Sequence, residues 1–86
     1  MELQIENKKV FNKIQKIVKG DKAHGEALNK AFKKLMNDPY MGKPLRNKLK
    51  GTYRIHVYSS FVLIYEICED TNIVNILEYD HHDKVY

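Results

Sequence analysis

The chain has 86 residues, 43% of them hydrophobic, which is enough for one small core but too little for two separately folded domains. Lysine and arginine number 15 against 11 acidic residues, so the formal net charge is +4. This balance favours an anionic partner, with nucleic acid first and an acidic protein second. The single cysteine excludes an intramolecular disulfide, and no apolar stretch approaches the roughly 20 residues that span a bilayer. We therefore expect a soluble, cytoplasmic protein with one domain over residues 1–86.

The first part of the chain predicts a strand and then a helix. Polar and apolar residues alternate over residues 1–6, which is typical of a short amphipathic strand at the edge of a sheet. From Asn7, apolar residues recur at helical spacing with lysines between them, until Gly20 supplies a stop. This segment predicts an amphipathic helix.

A second helix is predicted directly after the first. It begins near Asp21, which is a suitable N-cap, and ends at Asp38 and Pro39. The two helices would form a hairpin across the turn at Gly20. His24 falls in the first turn of the second helix, where we expect it to be exposed and without a functional role.

A basic segment, "PYMGKPLRNKLKG", follows the second helix and has no clear period. It contains both prolines and two of the four glycines, which is typical of a loop. Its basic residues are candidates for phosphate binding: Lys43, Arg46, Lys48 and Lys50.

The last third of the chain predicts three successive antiparallel strands. The segments "TYRIHVY", "FVLIYEIC" and "TNIVNILEYD" are rich in β-branched and aromatic residues and are separated by short polar turns. The predicted fold class is therefore α+β, with the N-terminal helical hairpin packed on one face of a small antiparallel sheet.

Alternation along the first of these strands gives it two different faces. One face would carry Tyr53, Ile55 and Val57, and the other would carry Arg54, His56 and Tyr58. Taken alone, the second face is more simply explained as solvated. If the last strand lies beside the others, however, its end "DHHDKVY" reaches the edge of the same sheet near the basic loop.

A positive site with imidazoles and no paired carboxylates suits cleavage of an RNA phosphodiester. Histidine can move either proton near neutral pH, and arginine can hold two phosphate oxygens, so no metal or cofactor is required. Two other interpretations of the C-terminal histidines are a solvated tail and a metal clip. The clip is less expected, because adjacent side chains on an extended segment diverge from a single ion.

The stretch "GKPLRNKLKGTYRIHVYSSFVLIYEICEDTNIVNILEYDHHDKVY" resembles the RelE/ParE toxin superfamily, specifically the YafQ-like branch of the RelE-type mRNA interferases. The most specific parts are "PLRNKLKGTYRIHV", "VLIYEI" and a histidine four residues before a terminal aromatic. The resemblance implies a RelE-like, microbial-RNase-like fold and the toxin of a type II toxin-antitoxin system. It also implies metal-independent cleavage of messenger RNA in the ribosomal A site, and a RelB- or DinJ-like antitoxin as partner.

The resemblance assigns roles to individual residues. It implies that His56 and His82 are catalytic, that Tyr86 stacks on or orients the RNA, and that Arg54 binds phosphate. Further contacts to RNA or phosphate are expected from Lys43, Arg46, Lys48, Lys50, Ser60, Phe61 and His81.

The sequence also departs from the pattern of this branch at several positions. Lys43 and Ser60 stand where the branch tends to have a histidine and an aspartate, and Phe61 replaces a tryptophan. Val62 aligns with a phosphate-binding arginine of the RelE branch. Lys43 is then a candidate for electrostatic stabilisation, and Asp80 or Asp83 for orienting a histidine.

Two alternative functions remain open. ParE-like relatives share the fold but inhibit DNA gyrase and lack the ribonuclease side chains, whereas a gyrase inhibitor has no obvious need for the pair His56 and His82. A basic nucleic-acid-binding module without catalysis would explain the charge, but it would not explain the strand histidine.

Overall fold

A computed structural model describes residues 1–45 and 51–85, apart from the side chain of Val85. Five strands form one sheet in the order β1-β5-β4-β3-β2, two long helices pack against it, and a short helix follows the last strand. The elements in chain order are β1 (Glu2–Gln4), α1 (Lys8–Gly20), α2 (Lys22–Asn37), a 3₁₀ turn (Pro39–Met41), β2 (Lys43–Pro44), β3 (Thr52–Tyr58), β4 (Phe61–Cys68), β5 (Ile73–His81) and α3 (His82–Val85).

The structure confirms the predicted α+β fold with its helical hairpin on the sheet. The prediction that the whole sheet is antiparallel is wrong. Strands β3, β4 and β5 form the expected antiparallel meander. Strand β1 instead pairs in parallel with β5, so the sheet is mixed. Alternation in a sequence shows which residues share a face but carries no information about strand direction, so this pairing could not be predicted.

The helix boundaries follow from local capping. The side chain of Asn7 accepts a hydrogen bond from the backbone N–H of Lys9 (2.9 Å), and Asp21 accepts from the N–H of His24 (3.1 Å). Both side chains satisfy donors that the first turn of a helix leaves unpaired. Helix α2 ends with its C-cap at Asp38, before Pro39, as predicted. No helix in the described residues is long and apolar enough to cross a membrane.

The core lies between the helical hairpin and the inner face of β4 and β5. Its largest fully buried side chains include two tyrosines, Tyr65 and Tyr79. They pack with apolar residues from both helices and both strands, namely Val10, Ile14, Leu28, Leu35, Leu63, Val74 and Ile76. Burying such side chains stabilises the fold by roughly 1.5 to 3 kcal/mol each relative to exposure, before the entropic cost of ordering them.

Tyr65 also fixes the segment that precedes β2. Its hydroxyl donates to the carbonyl of Pro39 (2.8 Å) and accepts from the N–H of Gly42 (3.1 Å). A Cβ at Gly42 would lie only 2.5 Å from that hydroxyl and 2.7 Å from the carbonyl oxygen of Arg54. Glycine is therefore required for this close approach, which places Lys43 opposite Arg54 in the sheet.

The prediction that His24 is exposed is wrong, because its side chain is buried and only 5% of the residue is accessible. Its Nε2 and the hydroxyl of Tyr79 form a hydrogen bond of 2.6 Å, and its ring stacks on Tyr58 with centroids 4.5 Å apart. The first turn of α2 lies over the sheet rather than in solvent. The spacing of His24 to Leu28 and Leu35 continues the buried stripe of the helix, and this spacing could have revealed its burial.

The placement of Tyr58 with Arg54 and His56 on one face is also wrong. The pairing of β3 with β4 shifts between His56, which faces Val62, and Tyr58, which faces Phe61. Such a bulge breaks the two-residue alternation, because one strand gains a residue that the other lacks. Tyr58 therefore turns towards the helices, where it meets His24.

The burial of His24 predicts a pH-dependent stability. Burial lowers the pKa of His24, and the charge on His81 lowers it further against an opposing effect of Asp21. The pKa of His24 in the folded protein lies below the unfolded value of about 6.5. As the pH falls through 6.5, the unfolded chain therefore binds more protons than the folded protein, which favours unfolding. We expect the contribution of His24 to be complete above pH 6.5 and to decline below it. Urea unfolding of the wild type and His24→Gln from pH 5 to 8 measures this contribution. If the free energy of unfolding changed equally with pH in the two proteins, the prediction would be contradicted.

Gly42 provides a second test of the packing. Gly42→Ala forces a methyl group against the hydroxyl of Tyr65 and the backbone of β3, so we expect a loss of about 1 to 3 kcal/mol in the free energy of unfolding. The matched control is Gly20→Ala, because no atom lies within 4 Å of a Cβ at Gly20. That helical substitution should be neutral or stabilise by up to about 1 kcal/mol. Equal effects in urea unfolding would show that the approach at Gly42 is not tight.

Candidate active site

A groove of about 410 Å³ lies on the face of the sheet that points away from the helices. Four predicted site residues line it together: Lys43, Arg54, His56 and His82. Backbone and apolar groups complete its walls and floor, contributed by Met41, Gly42, Ile55 and Val62. The structure thus brings together side chains that are up to 39 positions apart in the sequence.

Strand register places the basic residues of the groove side by side. Lys43 pairs with Arg54 across β2 and β3, and His56 follows Arg54 two residues later on the same face of β3. Val62, opposite His56, is 1% exposed and forms the floor between the charged side chains. Lys43 and His56 are exposed and Arg54 is half-buried, so a ligand in the groove can reach all three.

His82 reaches the groove because the chain changes conformation at the end of β5. Its backbone N–H donates to the carbonyl of Ser60 in the β3–β4 turn at 2.7 Å. The preceding Ser59 has a φ of 52°, a left-handed conformation that makes this turn tight. His81 is the last residue of β5 and His82 the first of α3, so the two side chains have different surroundings.

Two residues predicted to contact RNA pack elsewhere. The ring of Phe61 lies on the helix side, 4.5 Å from His24 and 5.1 Å from Tyr79 between centroids. His81 is exposed and packs on Phe61 at 4.2 Å, and neither residue lines the groove. An RNA contact by Phe61 does not match this half-buried position. Ser60 is exposed beside the groove, where its carbonyl holds His82.

An ion pair holds the end of β5 against α1. The ammonium group of Lys13 lies 2.8 Å from a carboxylate oxygen of Asp80, and the other oxygen of Asp80 accepts from the N–H of His81 (2.7 Å). Lys13 and this N–H lower the pKa of Asp80, so the carboxylate stays ionised at neutral pH. Asp80, a candidate for orienting a histidine side chain, thus has Lys13 and the backbone of His81 as partners.

Several predicted residues lie outside the described part of the chain. Arg46, Lys48 and Lys50 fall in residues 46–50, and Tyr86 is the final residue, so their assignments remain predictions. In residues 1–45 and 51–85, no three His, Cys, Asp or Glu side chains are grouped so that they could hold a metal ion.

The sequence does not predict the wall that β2 and the turn before it contribute to the groove. A two-residue strand that contains Pro44 has no recognisable alternation, so the segment looked like a plain loop. The close approach required at Gly42 was not visible either. The glycine between two prolines was its only sign in the sequence.

The arrangement suits reactions on an anionic group. Lys43 and Arg54 can bind oxyanions, and Arg54 can do so with two parallel hydrogen bonds. His56 and His82 each carry an imidazole, whose two ring nitrogens can accept or donate a proton. The groove therefore provides anion binding together with two proton-transfer groups.

Comparisons with known proteins agree with this fold. Residues 7–86 match the family model described as the ParE toxin of the type II toxin-antitoxin system parDE. A candidate toxin named RelE4 from Methanocaldococcus jannaschii is 34% identical over 73 residues, which cover 85% of this chain and 78% of that protein.

Solved structures show the same architecture. The YoeB/ParE toxin from Agrobacterium tumefaciens superposes with a TM-score of 0.83 at 14% identity, over 95% of this chain and 99% of that one. A chain of the toxin-antitoxin complex RelBE2 from Mycobacterium tuberculosis superposes with a TM-score of 0.73 at 26% identity, over 93% and 88%. The protein therefore belongs to the ParE/RelE superfamily of toxins from type II toxin-antitoxin systems.

Proposed function

We propose that this toxin is a metal-independent endoribonuclease of the YafQ-like branch of RelE-type mRNA interferases. Its substrate is messenger RNA, cut while it occupies the A site of the ribosome, and the consequence is inhibition of translation. The observation that carries the proposal is the groove in which His56 and His82 meet Arg54 and Lys43. A surface used only for binding does not need two proton-transfer groups beside an anion site.

In the proposed reaction, the 2′-hydroxyl of the RNA attacks the adjacent phosphorus. One histidine removes the proton of that hydroxyl, and the bond from phosphorus to the 5′-oxygen breaks. The other histidine, on the opposite side of the scissile phosphate, gives a proton to the leaving oxygen. Arg54 and Lys43 stabilise the charge that develops on the phosphate oxygens. The products are a 2′,3′-cyclic phosphate and a free 5′-hydroxyl, so no oxidant, reductant or water is consumed.

The remaining predicted contacts complete the RNA site. Tyr86, four residues after His82 in the sequence, stacks on or orients a base, because an aromatic ring binds any base through its π-face. Arg46, Lys48, Lys50 and Ser60 contact the RNA backbone, because basic and hydroxyl side chains bind phosphate oxygens.

An antitoxin of the RelB or DinJ type is the proposed regulatory partner. The RelBE2 structure, at 26% identity, is a toxin-antitoxin complex. The groove is open, so a bound antitoxin segment can block it or displace the residues that line it. Such segments commonly fold when they bind, which allows them to cover a large surface.

Inhibition of DNA gyrase without RNA cleavage is the second candidate, because the matching family model is described as the ParE toxin. The relative named RelE4 favours the ribonuclease instead. Primer extension on a reporter messenger after induction, run beside a gyrase supercoiling assay with purified toxin, separates the two functions.

The first functional prediction concerns the two groove histidines. His56→Ala and His82→Ala should each reduce the rate of messenger cleavage by about a hundredfold or more, the usual effect of removing a general acid or base. The measurement is single-turnover cleavage of ribosome-bound messenger, with circular dichroism to establish that each variant is folded.

His81→Ala is the matched control, since it removes the adjacent imidazole, which packs on Phe61 outside the groove. It should retain most of the wild-type rate. An inactive His81 variant together with a fully active His82 variant would reverse the assignment. Full cleavage by all three variants would exclude these histidines from the mechanism, and no cleavage by the wild type would favour the gyrase inhibitor.

The second functional prediction concerns metal ions. Because the groove's own side chains supply proton transfer and charge stabilisation, toxin dialysed against EDTA should cleave at the untreated rate when added to intact ribosomal complexes. The assay buffer then contains only the magnesium that the ribosome needs. Lost activity that zinc or manganese restores would overturn the proposed mechanism.

A further inference from the structure

A second depression lies at the opposite end of β4 from the groove, where a residue of the groove's face, Glu66, and a residue of the helix side, Tyr53, both line it. Its volume is about 670 Å³, within the range of sites that bind small ligands. Glu66, which lines it, is four residues from Val62 on the groove floor, so the two sites are separated by about 13 Å along the strand. We call this depression the acidic pocket, and RNA cleavage does not require it.

The acidic pocket concentrates negative charge on a protein whose net charge is +4. Four carboxylate side chains line it, and no lysine, arginine or histidine of the described residues does: the carboxylates are Glu6, Glu66, Glu69 and Asp70. The pKa of the Cys68 thiol in the pocket is raised by burial and by the nearby carboxylates. Carboxylates held together repel one another, and a bound cation would relieve that repulsion.

One atom of a buried polar side chain in the pocket lacks a hydrogen-bond partner within the described residues. Asn75 is only 8% exposed, and its side-chain NH₂ donates to the carboxylate of Glu66 at 3.2 Å. Within the described residues, its carbonyl Oδ1 accepts no hydrogen bond. Gln4, beside Asn75 in the β1–β5 register, donates its NH₂ to Glu6 instead (2.9 Å). An unpaired buried acceptor is unfavourable, so this atom points to a donor that comes from outside the chain.

Two tyrosines also line the pocket. The rings of Tyr40 and Tyr53 line it and are nearly perpendicular, with centroids 6.1 Å apart. The hydroxyl of Tyr40 donates to the carboxylate of Glu69, which holds that ring at the rim. A cation over the face of a tyrosine ring is attracted by the ring's quadrupole, and a planar guanidinium can stack on it.

We propose that the acidic pocket binds the guanidinium group of an arginine side chain presented by a partner protein. A guanidinium offers five N–H donors in one plane, which can reach a carboxylate and an amide oxygen together. The side-chain oxygen of Asn75 is itself buried, so contact with it requires a local rearrangement of the side chains around it. An ammonium group matches the charge but lacks the planar fork, and anionic partners such as nucleic acid are repelled here.

The test uses three peptides that differ in one side chain: acetyl-Gly-Arg-Gly-amide and its lysine and citrulline counterparts. Titration into the ¹⁵N-labelled full chain should shift the backbone amides of Glu6, Asp70 and Asn75 in a saturable way. The arginine peptide should bind with a dissociation constant on the order of 1 mM, the lysine peptide several-fold more weakly, and the neutral citrulline peptide undetectably. Equal binding of arginine and citrulline, or of arginine and lysine, would overturn the proposal.

Variants of pocket residues test whether the arginine peptide binds in the acidic pocket. Glu66→Gln should weaken the arginine peptide about tenfold, because one charge-assisted hydrogen bond is lost. The matched control, Glu26→Gln on the exposed surface of α2, removes the same charge and should leave binding unchanged. Asp70→Asn, in an exposed turn, should also weaken binding and provides a second variant if Glu66→Gln unfolds. Unchanged binding in the pocket variants would overturn the proposal, and none of these measurements depends on RNA cleavage.

Discussion

The alternation of side chains along β3 and β4 is the constraint on which the rest of the molecule depends. Every second residue of β4, such as Leu63 and Tyr65, enters the core beneath the helices, so the residues between them must face outwards. Val62 is thereby placed on the groove floor, opposite His56 on β3. A slip of one residue in this register would bury His56 and expose the core, which ties core packing to site geometry.

Contacts on the helix side of the sheet determine where His82 lies. Lys13 holds Asp80 at the end of β5, and the aromatic cluster around His24 supports the turn that bonds to the backbone of His82. The site therefore depends on residues that never touch a ligand. Because several of these contacts are polar or aromatic rather than purely apolar, they restrict geometry more than area burial alone would.

The outer face of the sheet carries opposite charge at its two ends. The groove carries the positive side chains of Lys43 and Arg54, whereas four carboxylates line the acidic pocket about 13 Å away along β4. The charge of a ligand then decides which end of this face it can approach. An anionic ligand is attracted to the groove and repelled by the acidic pocket, and the reverse holds for a cationic ligand. RNA and a basic protein segment would then occupy different parts of one surface without competing.

The sequence alone predicts the order of the main elements, the N-cap at Asp21, and the grouping of Arg54 and His56 on one face of β3. These features depend on nearest neighbours, helical or strand period and capping chemistry, all of which are local. Resemblance to known toxins added His82, which no local pattern connects to β3.

Tertiary contacts set the parallel pairing of β1, the burial of His24, the rotation of Tyr58 at the bulge and the wall that β2 adds to the groove. They also place His81 and His82 in different surroundings and leave the side-chain oxygen of Asn75 without a hydrogen bond within the described residues. Each of these depends on which distant segment packs against a residue. Such contacts are set by the free energy of the whole core, and a local sequence pattern does not contain that information.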